Sequence, residues 1–370
     1  MSYSTYLTGA GRWRKLVGIV CAAAFLLIAF VPVNALTAKA DTLFQESRPA
    51  MGTDFEIYLY APDRARAEAL FETAFDEIER LEAALSNYRP SSELSRINRD
   101  AADKAVVTDP EVFAFLERSF AFSRLTDGAF DITVGKLVKA WGFFRHDGHF
   151  PSTEELERAC AETGWRRVKM DPNSRSVRFL TPGLELDPGG IGKGYAVDRV
   201  VQLLRSAGVT AAMVGTGSSS IYGIGTPPGK AGWPIQVMDP KARTRTLATV
   251  FLRDQSLSTS GNYEKFFKLN GHTYCHIFDP RTGRPVEGVL QTTVIAPSAT
   301  DSDALSTSVF VLGPERAVQL LNKLPNTSAF IVTDRAQKEQ IKKIHWPGDV
   351  SKSVSSASGH IKPGVLIKNA

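Results

Sequence analysis

The segment ELDPGGIGKGYAVD, residues 185–198, packs four glycines and one lysine into a short turn between an apolar stretch and a helical one. Glycine lets the backbone approach an anion, and a helix that starts at such a turn points its first N–H groups at it. A phosphate is therefore the first ligand to consider. The P-loop pattern does not fit, because Asp187 stands where its first glycine belongs and Gly194 where its Ser or Thr belongs. No G-x-G-x-x-G fits the turn either. Its surroundings must explain it.

Working outward, the helix after the turn is expected from about Lys193 to Ser206, stopped by Gly208. Upstream, TDFEIYLYA alternates as a half-buried strand. Pro62 then opens a long amphipathic helix with Leu70, Phe71, Ala74, Phe75, Ile78, Leu81 and Leu85 on one face. Asp109-Pro110 caps a second helix, a third covers about 153–163, and RVKMDPNSRSVRFL reads as a hairpin. From 209 to about 296 the pattern is mainly strands, with a hairpin turning at Asn270-Gly271. Two helices follow, about 301–312 and 314–323, separated by Gly313-Pro314, and SAFIVT reads as the final strand. Strands come in runs, which predicts an α+β fold of mixed or antiparallel β-sheets with packed helices.

The 370 residues carry a formal charge of +5, but four basic and no acidic side chains lie in the first 40. The remainder has 40 basic residues against 39 acidic ones, which excludes a nucleic-acid footprint. Residues 1–40 read as an export signal: Arg12, Arg14 and Lys15, then LVGIVCAAAFLLIAFV, then Ala38-Lys39-Ala40 as a cleavage site. The alternative is retention as an inner-membrane anchor, for which 16 apolar residues are short. Cys21 lies inside the apolar core, so a lipoprotein is excluded, and no paired arginines favour a twin-arginine route. Cys160 and Cys275 make neither a disulfide framework nor a zinc spacing. One domain is expected over 41–347, in a periplasmic setting, and the polar tail 348–370 is expected to be disordered.

Several motifs are ambiguous alone. In TDSDALSTSVFVLG, residues 300–313, Asp303 and Thr307 lie four apart on one helix face. Together they are hard oxygen donors for Mg²⁺ beside a phosphate, or merely a dipole-favouring acid and a packing residue. His276, in an alternating apolar strand, is either a general base or a satisfied core histidine. STSGNYE (258–264), GAFDITVG (128–135) and AMGT (50–53) read as glycine-bearing turns.

Their order changes the reading. Met51-Gly52-Thr53, Ser86-Asn87-Tyr88 with Ser95 and Asn98, Gly128 to Asp131 with Trp141, and Leu186-Asp187 through Gly194-Tyr195 to Asp198 come first. Ser260-Gly261, His276 with Asp279-Pro280 and Thr282-Gly283, and Asp303 to Thr307 complete the series. Over about 48–335 the chain closely resembles the ApbE-type flavin transferases, which move FMN from FAD to a protein.

The resemblance implies that the glycine turn lies against the FAD pyrophosphate, with Asp187 and Lys193 close to the cofactor. It implies Mg²⁺ held by Asp303 and Thr307 with a main-chain carbonyl of Gly190, Thr300 completing the shell. Met51, Tyr88, Ala129, Phe130 and Asp131 would line the flavin and adenine ends. His276 would activate a threonine hydroxyl on an exported or membrane flavoprotein, and Asp303 and Lys193 would serve the same catalytic step. Val214-Gly215-Thr216-Gly217-Ser218 departs from the family's usual Asn-x-Gly-Gly and removes a polar group expected near the nucleotide. Hydrolysis of FAD to FMN and AMP at the same site, and a flavin-binding accessory protein of a respiratory complex, are the rival functions.

Overall fold

A computed structural model describes residues 41–347, apart from 146, 218, 336 and 337. The export segment and the tail expected to be disordered lie outside the described residues. The framework is an eight-stranded sheet whose spatial order follows chain order. Its strands are β1 (Thr42–Ala50), β2 (Thr53–Ala61), β3 (Ala212–Thr216), β4 (Ser220–Ile224), β5 (Gln255–Gly261), β6 (Val289–Ala296), β7 (Ser328–Arg335) and β8 (Lys338–Ile344). Every neighbouring pair is antiparallel.

Among the described residues seven α-helical segments accompany it: α1 (Arg64–Leu85), α2 (Glu93–Asp100), α3 (Pro110–Leu125), α4 (Gly135–Ala140), α5 (Thr153–Ala161), α6 (Gly192–Ser206) and α7 (Ala299–Leu321). Their starts follow local chemistry. Asp63, Ser92, Asp109 and Ser152 each accept a backbone N–H from the first turn of α1, α2, α3 and α5. The segment read as two helices is two helices, which share the label α7 and meet at a non-helical Gly313 (φ 71°, ψ 174°), immediately before Pro314.

Both faces of the sheet are covered. In β2, Phe55, Ile57, Leu59 and Ala61 enter the core under the helices, while Tyr58 and Tyr60 face the opposite layer. That second layer is the hairpin Trp233–Met238/Thr246–Leu252, whose Trp233, Ile235, Val250 and Leu252 pack on Met213, Ile221 and Phe330. A strand with period-two alternation can serve two cores because both its faces are dry. A third, smaller core joins Leu137, Trp141, Phe143, Ala159 and Phe278.

Two local expectations are corrected and one strand is added. SAFIVT is not the final strand, since β8 pairs with it along its length. STSGNYE is not all turn, because Ser258 to Gly261 belong to β5 and pair with β6. The described residues also open with an unforeseen strand, β1, whose Ala50 pairs with Thr53 across the tight turn at Met51-Gly52.

Candidate active site

The glycine turn is pinned from two directions. Asp187 Oδ1 accepts the Gly189 N–H at 2.8 Å, and Oδ2 accepts from Asn87 Nδ2 at 2.9 Å. Asn98 grips Leu186 twice, accepting its N–H at 2.8 Å and donating to its carbonyl at 3.0 Å. From the other side the Asp187 N–H donates to the Ile132 carbonyl. Tyr88 adjoins Asn87, and burial, then the Asp187 charge, raises its phenol pKa. Helix α6 leaves this turn with no side-chain cap at its N-terminus, and Lys193 Nζ reaches back to the Gly189 carbonyl at 3.1 Å. The Gly192 N–H is taken by the Pro188 carbonyl and the Gly194 N–H by Asp303, so what the turn offers an anion is the positive end of the helix dipole and the lysine beside it.

Helix α7 closes against that N-terminus. A Cβ on Gly194 would lie 2.2 Å from the Ala299 carbonyl oxygen and 2.7 Å from Asp303 Cβ, so only glycine fits there. The Gly194 N–H donates to Asp303 Oδ2 at 2.9 Å, and Asp303 is buried. A Cβ on Gly190 would sit 3.4 Å from Thr307 Oγ1 and 3.2 Å from Phe130. Gly190, Asp303, Thr307 and Phe130 therefore meet at the start of α6. Thr300 does something different with its side chain. Its hydroxyl donates to Asp198 Oδ2 at 2.5 Å, and Asp198 also accepts the N–H groups of Ala299 and Thr300 at 2.7 and 2.8 Å. Asp198 thus caps α7 from a neighbouring helix, and its pKa is raised by burial against the opposing pull of the Thr300 hydrogen bonds.

His276 is half-buried by surface area yet densely surrounded by protein. Desolvation is the main cause that pulls its pKa down to about 4, the Lys265 carbonyl opposes it, and the charges of Lys265 and Lys193 add to the fall. Nδ1 lies 3.1 Å from the Lys265 carbonyl oxygen. A carbonyl only accepts, so Nδ1 carries the proton and Nε2 keeps its lone pair.

The remaining implied residues are placed less directly. Asp131 is buried, accepts from the Thr133 N–H and hydroxyl on Oδ1 and from the Trp165 N–H on Oδ2, and has a pKa raised chiefly by burial. Its carboxylate organises its own loop. Ala129 and Phe130 are both buried, and Phe130 packs against the glycine turn at Gly190. Met51 lies at the β1–β2 turn with φ 50°, unusual for a side-chain-bearing residue. That turn adjoins the departure from Asn-x-Gly-Gly: a Cβ on Gly217 would be 3.1 Å from Thr53 Oγ1. Thr216 Oγ1 there accepts the Ser220 N–H at 3.1 Å and closes the β3–β4 turn, while Ser218 lies outside the described residues.

Among the described residues no three His, Cys, Asp or Glu side chains converge as a metal cluster. The donors gathered at Gly190, Asp303 and Thr307 comprise one carboxylate and neutral oxygens. Such a set fits a hard cation that takes its other ligands from phosphate and water.

Residues 51–331 match the sequence profile of the ApbE family. The chain belongs to the ApbE family. Among its relatives, the FAD:protein FMN transferase of Treponema pallidum is 32% identical over 309 residues, covering 79% of this chain and 85% of the relative. That of Vibrio cholerae is 34% identical over 306 residues, covering 79% and 89%. The crystal structure of the ApbE protein from Thermotoga maritima superposes with a TM-score of 0.74 at 32% identity, covering 82% of this chain and 97% of that one. The flavin transferase ApbE from Vibrio cholerae gives 0.73 at 27%, covering 82% and 98%. The α+β architecture is thus that of solved ApbE structures. Within this ApbE-family chain, the roles of Asn87, Asn98 and Asp198 as braces were not assigned from sequence, although each stands in the quoted motifs; Asn87 and Asn98 lie 100 and 88 residues from the turn residues they hold, so no local signal marked them.

Proposed function

We propose that this chain is an FAD:protein FMN transferase, attaching FMN from FAD to a threonine of an acceptor flavoprotein and releasing AMP. The observation that carries it is the convergence of Gly190, Asp303 and Thr307 on the N-terminus of α6, beside Lys193. That N-terminus and Lys193 would hold the pyrophosphate. Asp303, Thr307 and the Gly190 carbonyl would hold Mg²⁺, which when bound neutralises phosphate charge and eases departure of AMP. Thr300, engaged with Asp198, supports this set by fixing the start of α7.

His276 supplies the proton acceptor. The threonine oxygen bonds to the FMN-side phosphorus, the bond from that phosphorus to the AMP oxygen breaks, and the hydroxyl proton passes to Nε2. A pKa near 4 keeps the ring neutral at cellular pH, so Nε2 is free to take the proton, as a weaker base than an ordinary histidine. Tyr88 and Met51 would border the flavin and adenine ends, with Asp187 bracing the turn between them.

Purified protein, FAD, Mg²⁺ and a candidate acceptor decide the reading. Acceptor-dependent covalent flavin with AMP release is expected. AMP without labelling of any acceptor would mean hydrolysis, and no AMP would leave only a flavin binder. Export is part of the proposal, with the acceptor on the same side of the membrane. N-terminal sequencing from the native host should begin at Asp41. An intact chain in soluble cytoplasm would overturn export and anchoring together.

A further inference from the structure

Tyr88 and Phe144 lie face to face, ring centroids 4.4 Å apart and planes 5° from parallel. Tyr88 is 54% exposed, so burial alone does not explain so close a stack. The two halves of the pair differ in anchorage. Phe144 follows Phe143, which is buried in the third core and lies 6.3 Å from the His276 ring. Lys139 Nζ sits 4.8 Å from the Phe144 centroid and is itself tied to Glu185 at 2.7 Å. Tyr88 instead stands in the irregular segment between α1 and α2, next to Asn87, which holds Asp187. The pair therefore spans from beside the glycine turn toward His276, with Phe144 next to the third core on one side and the half-exposed Tyr88 ring on the other.

We propose that Phe144 is a binding residue that forms, with Tyr88, an aromatic clamp for a flat ring of FAD. The proposal rests on the flavin-transferase reading and adds a contact to it. Two van der Waals separations of about 3.5 Å place the planes of a sandwich roughly 7 Å apart, so Tyr88 must swing outward to admit a ring. Closed on itself, the clamp covers its own apolar faces while the site waits for substrate. The shared chemistry is a planar heteroaromatic ring, supplied by either end of FAD.

The test is calorimetric binding of FAD, FMN and AMP to the full chain and to Phe144→Leu, Phe144→Trp and Tyr88→Leu. Phe144→Leu keeps apolar volume but loses the flat face, and FAD should bind about five- to tenfold more weakly. Tyr88→Leu should give a similar loss, and the double variant should lose less than the product of the two. Phe144→Trp should keep wild-type affinity. If the flavin is the clamped ring, the losses appear with FMN and not AMP, and the tryptophan quenches flavin emission; if adenine, the pattern reverses. Wild-type affinity of Phe144→Leu for all three ligands would overturn the clamp while leaving the transferase reading intact. Equal weakening in Phe144→Leu and Phe144→Trp would reduce Phe144 to a packing residue and overturn it too. Failure of wild type to bind FAD at all would overturn both.

Discussion

The Gly194 N–H donates to Asp303 Oδ2 at 2.9 Å, joining the first turn of α6 to α7 across 109 residues of sequence. Two helices approach this closely because position 194 lacks a side chain. In an ordinary helix Gly→Ala stabilises by about 1 kcal/mol. Here the added methyl would meet the Ala299 carbonyl at 2.2 Å, a backbone atom that cannot rotate away. Gly194→Ala should therefore reverse the usual sign and destabilise by about 1–3 kcal/mol. Urea unfolding checks it, and a stability gain would mean that the helices are free to separate.

Asp303→Asn separates charge from shape. The amide oxygen can still accept from Gly194, so the fold should survive. Loss of about 3 kcal/mol of charge neutralisation would slow AMP release roughly a hundredfold. Release measured against Mg²⁺ for wild type, Asp303→Asn and Thr307→Val is decisive. Wild-type turnover that persists under complete chelation, or an Asp303→Asn variant matching it at every Mg²⁺ level, sinks the metal assignment.

His276 sets the acid limit of the reaction. Its pKa is lowered to about 4, so the neutral, proton-accepting ring dominates above that value and is lost only below it. The kcat/KM profile, which reports the free enzyme, should stay level from pH 7 down to about 5. A limb near the ordinary histidine value would show a solvated ring instead. His276→Ala should slow transfer by about 10²–10⁴-fold with FAD binding retained.

Asp198 should reveal itself through stability. Asp198→Ala strands the Ala299 and Thr300 N–H groups, at about 1–3 kcal/mol for each buried donor left unmet. Asp198→Asn keeps one acceptor and should fall between alanine and wild type in thermal unfolding. Identical melting of wild type and Asp198→Ala would show that Ser298 alone caps α7.

The sequence by itself determined the elements whose signals are local. Asp109-Pro110 started a helix, Gly208 ended one, Gly313-Pro314 separated two others, and Asn270-Gly271 turned a hairpin, because capping and positive φ depend on residues within one turn. It also determined the family, since the glycine turn, His276 and the Asp303–Thr307 pair occur in a telling order. Strand β5 was hidden because its serines look like a turn; their hydroxyls are satisfied by α7, Ser258 on Ser302 and Ser260 on Ser306. Strand β8, KEQIKKI, was hidden because an edge strand can be polar on its exposed positions. Tertiary structure alone decided that Asn87 and Asn98 brace the glycine turn, that Thr300 answers to Asp198, and that Phe144 stacks on Tyr88. The partners in those contacts are separated by tens of residues or more, and local periodicity carries no information about a bond that exists only after the chain has folded back on itself.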